Sequence, residues 1–145
     1  MKKLFTTIVV LTTVVLSFAA LTACSGSNGE ADLKAAKDAQ DKGDFETALP
    51  LYQKAAKAGN AEAQFNLGFI YETGMSGKTD EKEAVVWYRK SAEQGYHMAQ
   101  LALGDCYRRG CGVEADKEEA KKWLQKSADQ GNEQAKQTLS LLDMF

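Results

Sequence analysis

Two hydrophobic patterns divide the chain. From Leu4 to Ala23 no residue carries a charge, and Ile8, Val9, Val10, Leu11, Val14, Val15, Leu16 and Phe18 dominate the run. A short polar stretch, SGSNGE, follows. From Ala31 onward apolar residues return at the three- and four-residue spacing of amphipathic helices, with no alternating run of convincing strand length and a single proline. That second pattern also repeats itself. Residues 60–95 laid over 96–131 agree at fifteen of thirty-six positions, among them Leu67 with Leu103, Gly68 with Gly104, Tyr71 with Tyr107 and Trp87 with Trp123. A fixed period of this size predicts stacked supersecondary units.

Punctuation resolves each unit into two helices. Asp80 with Glu83, and Asp116 with Glu119, have the spacing of a capping box, in which a side-chain oxygen accepts from an orphan amide at a helix start. They open the second helix of each unit. Gly74, Gly95, Gly110 and Gly131 fall where a helix ends in a left-handed residue, a conformation glycine adopts without a Cβ penalty. Gly68 and Gly104 lie inside first helices, where glycine costs about 1 kcal/mol relative to alanine. Close approach of the helix carrying Trp87 or Trp123 is the expected compensation.

The segments "AEAQFNLGFIYETG", "DEKEAVVWYRKSAEQG" and "AQLALGDCYRRGCGVEADKEEAKKWLQKSADQG" resemble Sel1-like repeats, relatives of the tetratricopeptide repeat with a longer loop between helices. The likeness covers 60–95 and 96–131. Residues 31–59 resemble the tetratricopeptide form instead, since "KGDFETALPLYQKAAKAG" has a short turn at Gly43 and Asp44, then Ala48, Tyr52 and Ala55 at that form's spacing. Residues 132–145 repeat only the first-helix pattern, through Ala135, Leu139 and Leu142, and are expected to be a capping helix. The resemblance implies an all-α fold, a short α-solenoid of antiparallel helix pairs with about seven helices, whose general role is to bind other proteins. Met75 to Gly77 depart from the family's usual Gly-x-Gly-Val, which bears on the loop and not on the fold.

The apolar leader has its own reading. Lys2 and Lys3 give it a positive start, and it turns small and polar at Thr22, Ala23, Cys24 and Ser25, the layout of an export signal over 1–23. The alternative is a retained transmembrane helix, because about 20 apolar residues can span a bilayer. Leu21, Thr22, Ala23 and Cys24 resemble the lipobox of bacterial lipoproteins. That resemblance implies a diacylglycerol on the Cys24 thiol, cleavage before it, and an acyl group, typically palmitate, on the new amine. Two or more acyl chains anchor a soluble domain stably where one does so only marginally. Residues 24–30 then form a lipidated tether, and Ser25, in the place where aspartate favours inner-membrane retention, implies the outer membrane with the domain facing the periplasm.

Export changes the reading of the other two cysteines. If Gly110 follows the cap of its helix, Cys106 and Cys111 are the pair that meets in a Schellman ending. Ile70 and Met75 occupy the equivalent places as an ordinary apolar contact. In an oxidising compartment a Cys106–Cys111 disulfide is expected; the other reading is two reduced thiols in apolar contact.

Charge and motifs narrow the function. Removing Lys2 and Lys3 leaves 16 basic against 20 acidic residues, a formal charge of −4, and without basic clusters neither nucleic acid nor an anionic lipid surface is an expected partner. His97 is the only histidine, and no nucleophile elbow or phosphate-cradling loop accompanies it. The expected protein is not an enzyme and carries no metal or cofactor. What is left is recognition. With Leu67 at zero on a helical wheel, Ala63 and Tyr71 lie within about 40° of it, whereas Glu62, Phe65, Phe69 and Glu72 lie at roughly 140° to 220°. The repeat equivalents of these four are Met98, Leu101, Asp105 and Arg108, and in tetratricopeptide-like solenoids this face lines the concave groove. These eight residues are the candidate partner-binding groove, unless neighbouring helices or the C-terminal tail cover them. Two roles stay open: a membrane-tethered adaptor that binds a protein or peptide of the bacterial cell envelope, or an inhibitor or regulator of an envelope enzyme, immunity-type or related to the cell wall. Metabolic labelling with a palmitate analogue is expected to tag the protein and to miss Cys24→Ser; label surviving in the variant would remove the lipoprotein reading.

Overall fold

In the computed structural model, which describes residues 28–75 and 77–144, seven helices follow in order: α1 (Glu30–Asp41), α2 (Phe45–Lys57), α3 (Ala61–Thr73), α4 (Glu81–Glu93), α5 (His97–Arg109), α6 (Lys117–Asp129) and α7 (Glu133–Asp143). No strand occurs among the described residues. The leader and Cys24 lie outside them. Each helix packs on the next along the chain, giving the antiparallel stack expected of an α-solenoid.

Local chemistry sets the helix boundaries. Side chains of Asp44, Asn60, Asp80, Asp116 and Asn132 accept from backbone amides in the first turns of α2, α3, α4, α6 and α7. Only one arm of the predicted capping boxes forms. The Asp80 amide donates to the Tyr71 carbonyl at 2.8 Å and the Asp116 amide to Tyr107 at 2.9 Å, pinning the inter-helix loops to the preceding helices. Glu83 is thereby released to accept from the Trp87 indole at 2.8 Å. Its counterpart Glu119 pairs with Lys122, and the buried Trp123 indole has no hydrogen-bond partner among the described residues. Gly74 and Gly110 end α3 and α5 with φ of 72° and 75°, as their position in the sequence predicts.

The interior glycines do sit beneath the following helix, but one residue along from the tryptophans. A Cβ on Gly68 would lie 2.6 Å from Tyr88 Cδ1, and one on Gly104 would lie 2.7 Å from Leu124 Cγ. The tryptophans turn the other way, toward the preceding unit: Trp87 joins the cluster of Tyr52, Leu67 and Ile70, and Trp123 joins that of Tyr88, Leu103 and Cys106. Each tryptophan therefore ties two units together, while Tyr88 and Leu124 close the hairpin within a unit.

Gly68→Ala would gain about 1 kcal/mol of helix propensity and overpack the buried Tyr88 ring, at a cost of about 1–3 kcal/mol. The expected result in a urea titration is a net loss of stability. A gain would show that Tyr88 yields freely and that the close approach is not what selects glycine.

Candidate partner-binding cleft

The wheel positions predicted for a groove meet in the fold. Phe65, Phe69 and Glu72 on α3 and Met98, Leu101, Asp105 and Arg108 on α5 line a single cleft of about 380 Å³, joined by Tyr88, Ala102, Arg109, Gln134 and Thr138. Its apolar floor and converging charges are the usual composition of a binding cleft. A larger recess of about 670 Å³ lies between the inter-helix loops, where Lys78, Asp80, Glu81, Lys82 and Glu114 wall it with mixed charge and Val113 is its only large apolar lining residue.

The eight candidates differ in burial. Phe69 is 41% exposed and projects into the cleft. Phe65 is half-buried, with ring centroids 5.8 Å from Tyr88 and 5.5 Å from Tyr96, so it is the edge of the core as much as surface. Leu101 likewise packs on the cluster of Leu124, Ala128 and Ala135. Glu62 leaves the group. It sits a turn before Phe65, pairs with Lys37 on α1, and lines a separate recess of about 360 Å³ with Glu30, Leu33 and Lys34.

One end of the cleft is a closed charge network. Arg109 reaches Glu72 at 2.9 Å and Asp105 at 2.7 Å, while Arg108 reaches Asp105 at 2.6 Å. The Tyr88 hydroxyl donates to Glu72 at 2.6 Å, and burial, with that bond second, pushes the hydroxyl's pKa up. Two carboxylates and two guanidiniums balance, so the wall is polar without a net charge. Among the described residues no cluster of His, Cys, Asp or Glu has the grouping to hold a metal ion.

The cysteine pair stands behind this wall. Gly110 turns the chain so that both its own amide and that of Cys111 donate to the Cys106 carbonyl, at 2.8 and 3.0 Å. Both are free thiols in the structure, Cys106 buried and Cys111 half-buried against the same apolar cluster. Burial, with Glu72 second, pushes the Cys106 thiol up to about 12, leaving it a poor nucleophile at neutral pH. A disulfide between them, as expected in an oxidising compartment, would close the turn after α5.

Of the lining residues missed from the sequence, one was within reach of its repeat: Gln134 stands one 36-residue period after Met98, whereas Thr138 follows Ala102, itself missed. Tyr88 and Arg109 have no such signal, because the first belongs to a second helix and the second enters only through its ion pairs.

The family model described as the Sel1 repeat matches residues 38–60, 61–96 and 97–132. Residues 38–60, expected to follow the tetratricopeptide form, thus fall within the Sel1 match, although only Lys42 to Asp44 separate α1 from α2. Among solved structures, a Sel1 repeat protein from Oxalobacter formigenes is 33% identical over 77% of this chain and 46% of its own, with a TM-score of 0.69. A protective antigen present in uropathogenic Escherichia coli strains, displaying an SLR fold, is 31% identical over 88% of this chain and 28% of its own, with a TM-score of 0.76. Cysteine-rich protein B of Helicobacter pylori is 26% identical over 65% of this chain and 71% of its own, with a TM-score of 0.62. The chain therefore spans less than half the length of the first two. No match is found among curated proteins.

The two phenylalanines should part company on truncation. Phe69→Ser is expected to change stability by no more than about 0.5 kcal/mol, as an exposed substitution does. Phe65→Ser should cost about 1–3 kcal/mol, since each of its two aromatic contacts contributes about 0.5–1.5 kcal/mol beyond area burial. Urea titration of both variants decides it; equal losses would put Phe69 in the core.

Proposed function

The chain belongs to the Sel1 repeat family, and we propose that it acts as a membrane-tethered adaptor of the bacterial cell envelope, holding a segment of a protein partner in the cleft formed by α3, α5 and α7. Repeats of this family are generally protein-interaction modules. The observation that carries the cleft is convergence: seven of eight residues picked by helical phase, from two different repeats, line one recess. Phe69, exposed among half-buried apolar neighbours, offers the apolar contact and the balanced wall of Glu72, Asp105, Arg108 and Arg109 offers polar partners.

The tether rests on sequence. The apolar leader with its Lys2–Lys3 start and the lipobox-like Leu21 to Cys24 support an acyl anchor, with the first described residue, Asn28, only a few positions beyond it. No helix among the described residues is long and apolar enough to cross a membrane.

A photoreactive residue in place of Phe69 is expected to trap a protein adduct in intact envelopes, whereas the same group in place of Val86, exposed on α4, should not. Adducts from Val86 alone, or from neither position, would move the partner surface away from the cleft. An adduct with one enzyme, whose activity falls on binding, would favour the regulator over the adaptor.

A further inference from the structure

The cleft does not stop at α5. A second recess of about 500 Å³ is lined by Arg108, Lys117, Thr138, Leu141 and Leu142, and it shares Arg108 and Thr138 with the first. Repeat register explains the continuity. Leu141 lies one period after Asp105 and two after Phe69, so the concave row reads apolar, charged, apolar across α3, α5 and α7. Leu141 is 54% exposed, and Met144 beyond it 66%. Large apolar side chains at such exposure, next to a formed recess, mark a surface built to be covered.

The charged residues that line this second recess are both cations, although Asp105 is paired with Arg108, and Asp143, paired with Lys121, lies within electrostatic reach of Lys117. The lining itself contains no carboxylate. Lys117 makes no ion pair among the described residues. Arg108 gives its Nε and one terminal nitrogen to Asp105, at 2.7 and 2.6 Å, which leaves further guanidinium N–H groups on a side chain 40% exposed. An apolar floor beside Lys117 and the remaining Arg108 N–H groups fits a ligand that is apolar where it touches Leu141 and Leu142 and anionic where it passes Arg108 and Lys117.

We infer that the cleft and this recess form one two-part site for a peptide segment in which apolar side chains are joined to one or more acidic residues, the acidic part lying between Arg108 and Lys117. The inference rests on the reading of the cleft as a partner site and adds the chemistry of the partner. The carboxylate forms charge-assisted bonds, and its sign excludes basic segments from the same register.

A random peptide library displayed on phage, panned on protein purified from cells expressing the full chain, tests it. Selected peptides should pair apolar residues with Asp or Glu. The affinity of a fluorescein-labelled selected peptide should fall about tenfold in Lys117→Glu, the loss of one hydrogen-bonded charge contact, and by a similar factor in Leu141→Ser. Lys117 is exposed at the start of α6, where an acidic residue suits the helix dipole, so Lys117→Glu is expected to fold. Panning against that variant should shift selection toward Lys and Arg. Peptides without acidic preference, or a preference unchanged in Lys117→Glu, would overturn this inference while leaving the cleft intact if Phe69→Ser still abolishes binding. Binding insensitive to Phe69→Ser would remove the cleft reading itself. Absence of selected peptides would overturn the peptide occupant, and a dimer that dissociates in Leu141→Ser would assign the α7 face to a second copy.

Discussion

A buried amide at the same place in α3 and α5 holds neighbouring hairpins in register. Gln64 donates to the Ala56 carbonyl of α2 at 3.1 Å and accepts from Gln94, at the end of α4, at 2.7 Å. Gln100 repeats both bonds one unit later, to Ala92 at 3.2 Å and from Gln130 at 2.8 Å. Each glutamine thus links three helices. A buried polar group left unpaired costs about 1–3 kcal/mol, so a unit that slides or rotates relative to its neighbour loses the bond to the preceding helix's carbonyl, while the glutamine pair braces the two helices of its own hairpin. Ser91 and Ser127 brace the two helices of each hairpin through the carbonyls of Ala61 and His97, at 2.6 and 2.7 Å. Because Phe65 and Leu101 directly follow Gln64 and Gln100 in sequence, fixing the amides also fixes which side chains face the cleft.

Repetition makes the scaffold, and a single break in it shapes the site. Gly68 and Gly104 admit the next helix equally closely, but the residue admitted is Tyr88 in one unit and Leu124 in the other. Both fill the hairpin. Only Tyr88 carries a hydroxyl past the glycine to Glu72, which in turn holds Arg109 from α5. The charged wall of the cleft is therefore oriented from inside the core, by a contact the second unit cannot reproduce. Side chains already held by one another lose less freedom when a partner arrives, which lowers the ordering cost of binding.

What the sequence disclosed follows the range of the forces involved. Caps at Asp80 and Asp116 and left-handed ends at Gly74 and Gly110 depend on a few neighbouring residues, so their chemistry is legible along the chain. The phase of Phe65, Phe69, Met98 and Leu101 is legible too, because the helical period places them on one face before any tertiary contact is known. Distances between helices are not encoded in phase. Hence Phe65 proves half-buried against Tyr88 and Tyr96, Tyr88 replaces the expected tryptophan beneath Gly68, and Glu62 turns to Lys37. Ser140 in α7 stands one period after Gly104, and Lys136 one period after Gln100. The glycine and the glutamine that receive a following helix in α3 and α5 are thus replaced in α7 by a serine and a lysine.

The unequal spacing of the units gives the concave face a direction. α1 precedes α3 by 31 residues, while α3 precedes α5, and α5 precedes α7, by 36 each. Only three residues join α1 to α2, and Lys37 on α1 meets Glu62 at the near edge of the cleft. That half-exposed pair contributes little stability, about 0–1 kcal/mol. Its effect is geometric, since the recess beside α1 shares no lining residue with the cleft. Toward α7 the two recesses are continuous across the Asp105–Arg108 pair, since Arg108 and Thr138 line both. A segment bound at Phe69 can therefore extend over α5 to Leu141, where the apolar surface widens, whereas the recess toward α1 is separate.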